Sequence, residues 1–143
     1  MKRFIQWAPA IRGNDRAAVL EYVSQFLLDQ RIVDDAQQIR QDFLKRERQG
    51  STVMAANLAI PHAQNPEIKQ AVMLYLRVPQ PVTWTNGQAI GRFIFILLPA
   101  QAAKQDLMAM KDFFVGMADV QTMEWLATGT YQEVSKIING ETN

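Results

Sequence analysis

The chain of 143 residues has no cysteine and only one histidine. The first absence removes disulfides, thiolate catalysis and cysteine-based metal sites, and the second rules out a histidine-rich metal site within one chain. No metal is therefore expected. Charge of one sign is also missing in excess, because 15 Lys plus Arg stand against 14 Asp plus Glu. That balance provides no global basic field for nucleic-acid binding, and the short cluster Lys45-Arg46-Glu47-Arg48 is interrupted by an acid and reads as a solvated helix end. Long apolar runs are lacking too. The longest, Phe93 to Ala100, has strand length, whereas a membrane-spanning helix needs roughly 20 residues. The basic start Met1-Lys2-Arg3 is broken by Gln6 and Pro9 before a signal-like apolar region develops. These features predict a cytoplasmic chain without membrane insertion, folded as one domain over residues 1–143.

What is present follows a clear order. After the apolar piece Phe4-Ile5-Gln6-Trp7, Asn14-Asp15 forms an N-cap signal, and Val19, Val23, Phe26 and Leu27 recur at helical spacing to about Gln30. Asp34-Asp35 caps a second helix with Ile39, Phe43 and Leu44 on one face, ending near Gly50. Short apolar runs follow at residues 58–60, 71–78 and 92–98, and all three read as strands, the last two buried on both faces. Pro79-Gln80-Pro81 is expected to break regular structure, and Asn86-Gly87 to make a tight turn. Pro99 closes the last strand. From about Ala102, Leu107, Met110, Phe114 and Met117 predict a third helix with a Met-rich face that packs into the core. Asp119 and Thr130 cap two further short helices, and Gly140 stops the second. The predicted fold class is α/β, a mixed β-sheet of about five strands flanked by helices. Apolar faces this short fit either a core or a dimer contact.

The histidine, His62, follows Asn57-Leu58-Ala59-Ile60-Pro61. Proline restricts both its own backbone and that of the residue before it, so the ring is expected at a strand end near the surface. An imidazole can serve as base, ligand or nucleophile near neutral pH. A lone histidine after an apolar run is also a common structural residue. Ten residues upstream lies Thr52, preceded by Ser51, and sixteen upstream lies Arg46. A guanidinium fork and a hydroxyl donor together could cradle a phosphoryl group on the ring. A hydrolase using His62 as general base lacks a nucleophile at recognisable spacing.

The run Leu44-Lys45-Arg46-Glu47-Arg48-Gln49-Gly50-Ser51-Thr52, followed by Asn57-Leu58-Ala59-Ile60-Pro61-His62, resembles the signature of the enzyme IIA domain of the fructose and mannitol type in the bacterial phosphotransferase system. The shared pattern is an Arg-Glu pair, a Ser-Thr or Pro-Thr pair, and a Gly-x-Ala-x-Pro-His run. The resemblance implies that His62 is a phosphoryl carrier, charged by the phosphocarrier protein HPr and discharged to a cysteine of a IIB partner. It implies that Arg46 neutralises phosphate charge, that Thr52 shapes the pocket, and that no cofactor is needed. A regulatory protein, whose phosphorylation state controls binding to a partner, is the alternative within the same family. Asn57 stands where the pattern usually has Gly, a position that tolerates Asn because Asn visits left-handed backbone conformations. Ala63 stands where Gly often follows the histidine. Where relatives often carry a second active-site histidine, the chain has Asp106, which could accept the other ring N–H of His62 or merely cap a helix.

Overall fold

The computed structural model describes residues 1–140 and has the order β1 (Lys2–Trp7), α1 (Arg16–Asp29), α2 (Ala36–Gln49), β2 (Val53–Ala55), β3 (Asn57–Ala59), β4 (His62–Asn65), β5 (Val72–Thr83), β6 (Ala89–Pro99), α3 (Lys104–Gly116), α4 (Val120–Thr128) and α5 (Tyr131–Ile138). The expected α/β domain is present. Its sheet has six strands rather than five, in the order β1-β5-β6-β3-β2, with β4 also paired to β6.

Strands β5 and β6 are the antiparallel centre, with Val72 opposite Leu97 and Leu76 opposite Phe93. Alternation at period two sends Val72, Leu74, Leu76, Phe93, Phe95 and Leu97 into a core shared with α1 and α2. The residues between them, Met73, Tyr75, Ile94 and Ile96, face Leu126, Val134 and Ile138 of α4 and α5. Both faces are covered, which explains why these two strands are continuous apolar runs.

The helix caps form where the sequence signals them. Asp15 accepts from the Ala18 N–H at 2.8 Å and Asp35 from the Gln38 N–H at 3.1 Å. Thr130 and Glu133 close a reciprocal capping box on α5. Asn57 has φ +68°, the left-handed geometry anticipated for it. Its side chain also donates to the Ala127 carbonyl and accepts from the Gly91 N–H, both at 2.6 Å, and so ties the end of α4 to β6.

Two expectations are corrected, and one segment that carried no assignment finds its element. The prolines at 79 and 81 do not end the strand: β5 runs through them to Thr83, and the ladder instead shifts register between Arg77 and Val82, an irregularity that spares proline a ladder bond. The piece Phe4-Ile5-Gln6-Trp7 belongs to a strand, pairing in parallel with β5 from Lys2–Val72 to Trp7–Arg77. The third helix is not a core helix. None of its residues is buried, and Leu107 and Phe114 are 46% and 39% exposed. Only Met110, Phe113 and the following Met117 reach the second core, because α4 and α5 already occupy that face of the sheet.

Candidate active site

The site is built where α2 lies over β4. On α2, Asp42 and Arg46 are four residues apart and share a face. Asp42 accepts from the Asn65 side-chain amide at 2.5 Å, and one turn later the Arg46 Nε donates to His62 Nε2 at 3.2 Å. His62 opens β4 opposite Ile96, and the Ile96 N–H bonds the Pro61 carbonyl at 3.0 Å, which holds the backbone before the ring against β6. The ring is exposed, at the lip of an open cleft of about 290 Å³ that Lys45, Gln49 and Gln64 also line.

Arg46 is fixed at a second point, since its Nη1 donates to the Gly50 carbonyl at 2.9 Å. The guanidinium therefore uses two edges of its fork at once, a geometry an ammonium does not reproduce. The pKa of His62 is lowered from the usual 6.5 by partial burial first and by the Arg46 charge second. The Ile60 carbonyl and the Glu47 charge oppose that shift. With Nε2 accepting from the Arg46 Nε–H, the lone pair of a neutral ring lies on Nε2 and its proton on Nδ1.

Thr52 takes a different place from the one expected. It is 5% exposed, and its hydroxyl donates to Glu47 at 2.5 Å while its N–H donates to the other Glu47 oxygen at 3.1 Å. Its contacts are to the helix acid and not to the imidazole. Ser51 closes a local turn by accepting from the Val53 N–H at 3.1 Å.

Asp106 is not brought to His62. It sits in the first turn of α3, where an acid complements the helix dipole, and its carboxylate pairs with the Met1 ammonium at 2.7 Å. Met1, just before β1, and the start of α3 meet at one end of the sheet, and the ammonium takes the acid.

In the cluster at the end of α2, Lys45 and Arg48 are exposed as expected, but Glu47 is not. Glu47 is only 6% exposed and extends the buried stripe of Ile39 and Phe43 at four-residue spacing. That spacing was the available signal, and the neighbouring charges obscured it. Among the described residues no group of three or more histidine or acidic side chains could hold a metal ion, and no helix is long and apolar enough to cross a membrane.

The family model described as "Phosphoenolpyruvate-dependent sugar phosphotransferase system, EIIA 2" matches residues 6–141. The chain belongs to this EIIA family. Among its relatives, the PTS system fructose-like EIIA component of Escherichia coli (strain K12) is 29% identical over 98 residues, which span 67% of the chain and 66% of that protein. A nitrogen regulatory protein of Pseudomonas aeruginosa is 23% identical over 92% of the chain and 90% of its own length. The fold recurs in the nitrogen regulatory protein IIA-Ntr of Neisseria meningitidis, with TM-score 0.71 and 21% identity, covering 94% of this chain and 92% of that one. It recurs as well in the enzyme IIAMTL of Escherichia coli, solved in complex with phosphorylated enzyme IIBMTL, with TM-score 0.66 and 16% identity over 94% of both chains. As an EIIA domain the chain has a general transferase role between components of the phosphotransferase system.

Proposed function

We propose that His62 is the phosphoryl carrier of this EIIA domain, taking the group from phospho-HPr on Nε2 and passing it to a cysteine of a IIB partner in the cytoplasm. The observation that carries this reading is the Arg46 Nε bond to His62 Nε2, which sets a permanent cation beside the ring nitrogen that carries the lone pair; as phosphorus arrives, the Arg46 N–H turns from that lone pair to a phosphoryl oxygen. In transfer, the Nε2 lone pair forms the new N–P bond as the donor's bond to phosphorus breaks and its electron pair returns to the donor nitrogen. The second step reverses the roles: a thiolate forms the S–P bond and the pair returns to Nε2. Phosphoryl transfer of this kind asks the protein for alignment and charge stabilisation, and needs no group beyond the ring, the guanidinium and an open approach. An open cleft suits a donor and an acceptor that are themselves protein side chains.

The likeness to nitrogen regulatory proteins over most of the chain favours a second reading of the same chemistry, in which phospho-His62 reports phosphotransferase activity to a regulated partner. One experiment addresses both. The chain and its His62→Ala variant are incubated with phosphoenolpyruvate, enzyme I and HPr and measured by intact mass. An acid-labile phosphoryl increment on the native chain alone is expected, and its absence refutes the carrier reading. Discharge by a IIB protein then favours transport, while a charged form that no IIB protein discharges favours regulation.

A further inference from the structure

Glu47 occupies a position that the packing of α2 alone does not explain. It lies in the last turn of the helix, where the dipole disfavours an acid, and it is buried, which disfavours the charged form again. An apolar residue would continue the Ile39 and Phe43 stripe at lower cost. The protein instead surrounds the carboxylate with donors from two other segments. The Thr52 hydroxyl and N–H reach it from the start of β2, and the Thr85 hydroxyl reaches it from the β5–β6 turn. The Trp84 indole N–H is buried without a full hydrogen-bond partner, and its dipole also favours the Glu47 anion. Burial pushes the Glu47 carboxyl up, but these hydroxyl and N–H donors outweigh it and hold the group below its ordinary 4.5. Glu47 is thus a fixed negative charge, one residue from the arginine that touches the ring.

We propose that Glu47 is a positioning residue of the phosphoryl site, a caged anion that clamps the end of α2 to β2 and the β5–β6 turn, fixes where Arg46 stands and balances its charge at His62. This rests on the reading of His62 as the carrier. The clamp acts through the chain: α2 ends at Gly50, whose carbonyl holds Arg46, and the Thr52 carbonyl accepts from the Ile60 N–H at 2.9 Å on the approach to the ring. Moving Glu47 therefore moves both partners of the Arg46–His62 bond. The ionisable groups that face the ring are Arg46 and Glu47, with Lys45 and Asp42 on the same cleft wall, while β4 contributes only the amides of Gln64 and Asn65.

The test uses the full chain with Glu47→Gln and, separately, Thr85→Val. One readout is the His62 titration, followed by ring NMR signals without any phosphoryl donor. The other is uptake from phospho-HPr, with kcat and KM separated. Glu47→Gln removes the anion and is expected to lower the His62 midpoint by about 0.3 pH unit or more, and to cut kcat at least about fivefold with KM within about twofold. Thr85→Val keeps the charge but loosens the cage, and a kcat loss of about threefold is expected with the midpoint in place. A folded Glu47→Gln protein whose His62 midpoint is unmoved or raised overturns the proposal, because a purely structural prop would not act on the titration. If Glu47→Gln does not fold, Thr85→Val decides, and an unchanged kcat overturns it. Failure of the native chain to take up phosphate would instead remove the carrier reading, while the titration would still report whether Glu47 acts on the ring.

Discussion

Replacing Arg46 by Met tests whether the guanidinium stabilises the transferring group. Met keeps the length and apolar stem of the side chain but loses the charge and the bonds to His62 Nε2 and the Gly50 carbonyl. Two unit charges about 4 Å apart are worth about 1 kcal/mol in water-like surroundings. A phosphoryl group carrying close to two charges doubles that figure, and the exposure of the ring and salt screening reduce it again. The expected loss is about 1–2 kcal/mol of transition-state stabilisation, or about 5- to 30-fold in kcat/KM. Arg46→Lys should fall between Met and the native chain, because an ammonium supplies the charge without the two-edged fork. The assay is transfer from radiolabelled phospho-HPr under single-turnover conditions, repeated at low and high salt. A Met variant within about twofold of the native rate would refute the electrostatic role. The same variant should raise the His62 pKa, since the neighbouring cation is one of the two causes that lower it.

Acidification gives an independent check. The His62 pKa is lowered, by burial first and Arg46 second, so the ring should remain a competent acceptor below pH 6.5; an acid limb of the uptake profile centred at or above 6.5 would contradict this. The sign for stability is the same: the folded state binds fewer protons than the unfolded chain just below 6.5, so His62 contributes stability above that pH that is lost as the pH falls through its folded pKa, readable as a drop in urea midpoint that His62→Ala abolishes. Asn57→Ala removes two hydrogen bonds and places alanine at φ +68°, for an expected cost of about 2–4 kcal/mol by urea unfolding. Asn57→Gly should recover about 1 kcal/mol of that loss, and equal destabilisation would place the whole effect in the side-chain bonds. Met108→Glu, at a position 55% exposed on α3, should change stability by less than about 0.5 kcal/mol; a loss of several kcal/mol would restore the core reading of that helix.

The sequence made the caps, the two central strands and the Arg46–His62 pairing legible, the first two because each is set by local chemistry. Asp15, Asp35 and Thr130 act on N–H groups within three residues of themselves, and the apolar runs of β5 and β6 report burial on both faces directly. Arg46 and His62 were found through their spacing, and α2 over β4 brings them together. What escaped depends on partners distant in sequence. β1 is short and finds its ladder in β5, some seventy residues later. The exposure of α3 depends on α4 and α5 having filled the sheet face first, which no period of 3.6 encodes. The motif points Thr52 to the phosphate and the relatives' second histidine points Asp106 to the ring, yet each goes to a different group: a buried carboxylate for the hydroxyl, the Met1 ammonium for the acid.

The displacement of Asp106 affects how the site holds its charge. With no second titrating ring and no acid bonded to His62, the ring's state depends on Arg46 from one side and the Ile60 carbonyl and Glu47 from the other. In the proposed transfer the cation would favour the arriving phosphoryl group, but it also lowers the basicity of the ring nitrogen. A fixed anion held at a distance offsets part of that loss without standing where the phosphate must sit. A carboxylate in direct contact with the ring, as first expected of Asp106, would have restored more basicity while adding repulsion toward the incoming group. Under the carrier role proposed for His62, the caged acid on α2 would serve both acceptance and release: it tempers the ring from behind the arginine and leaves the cleft open.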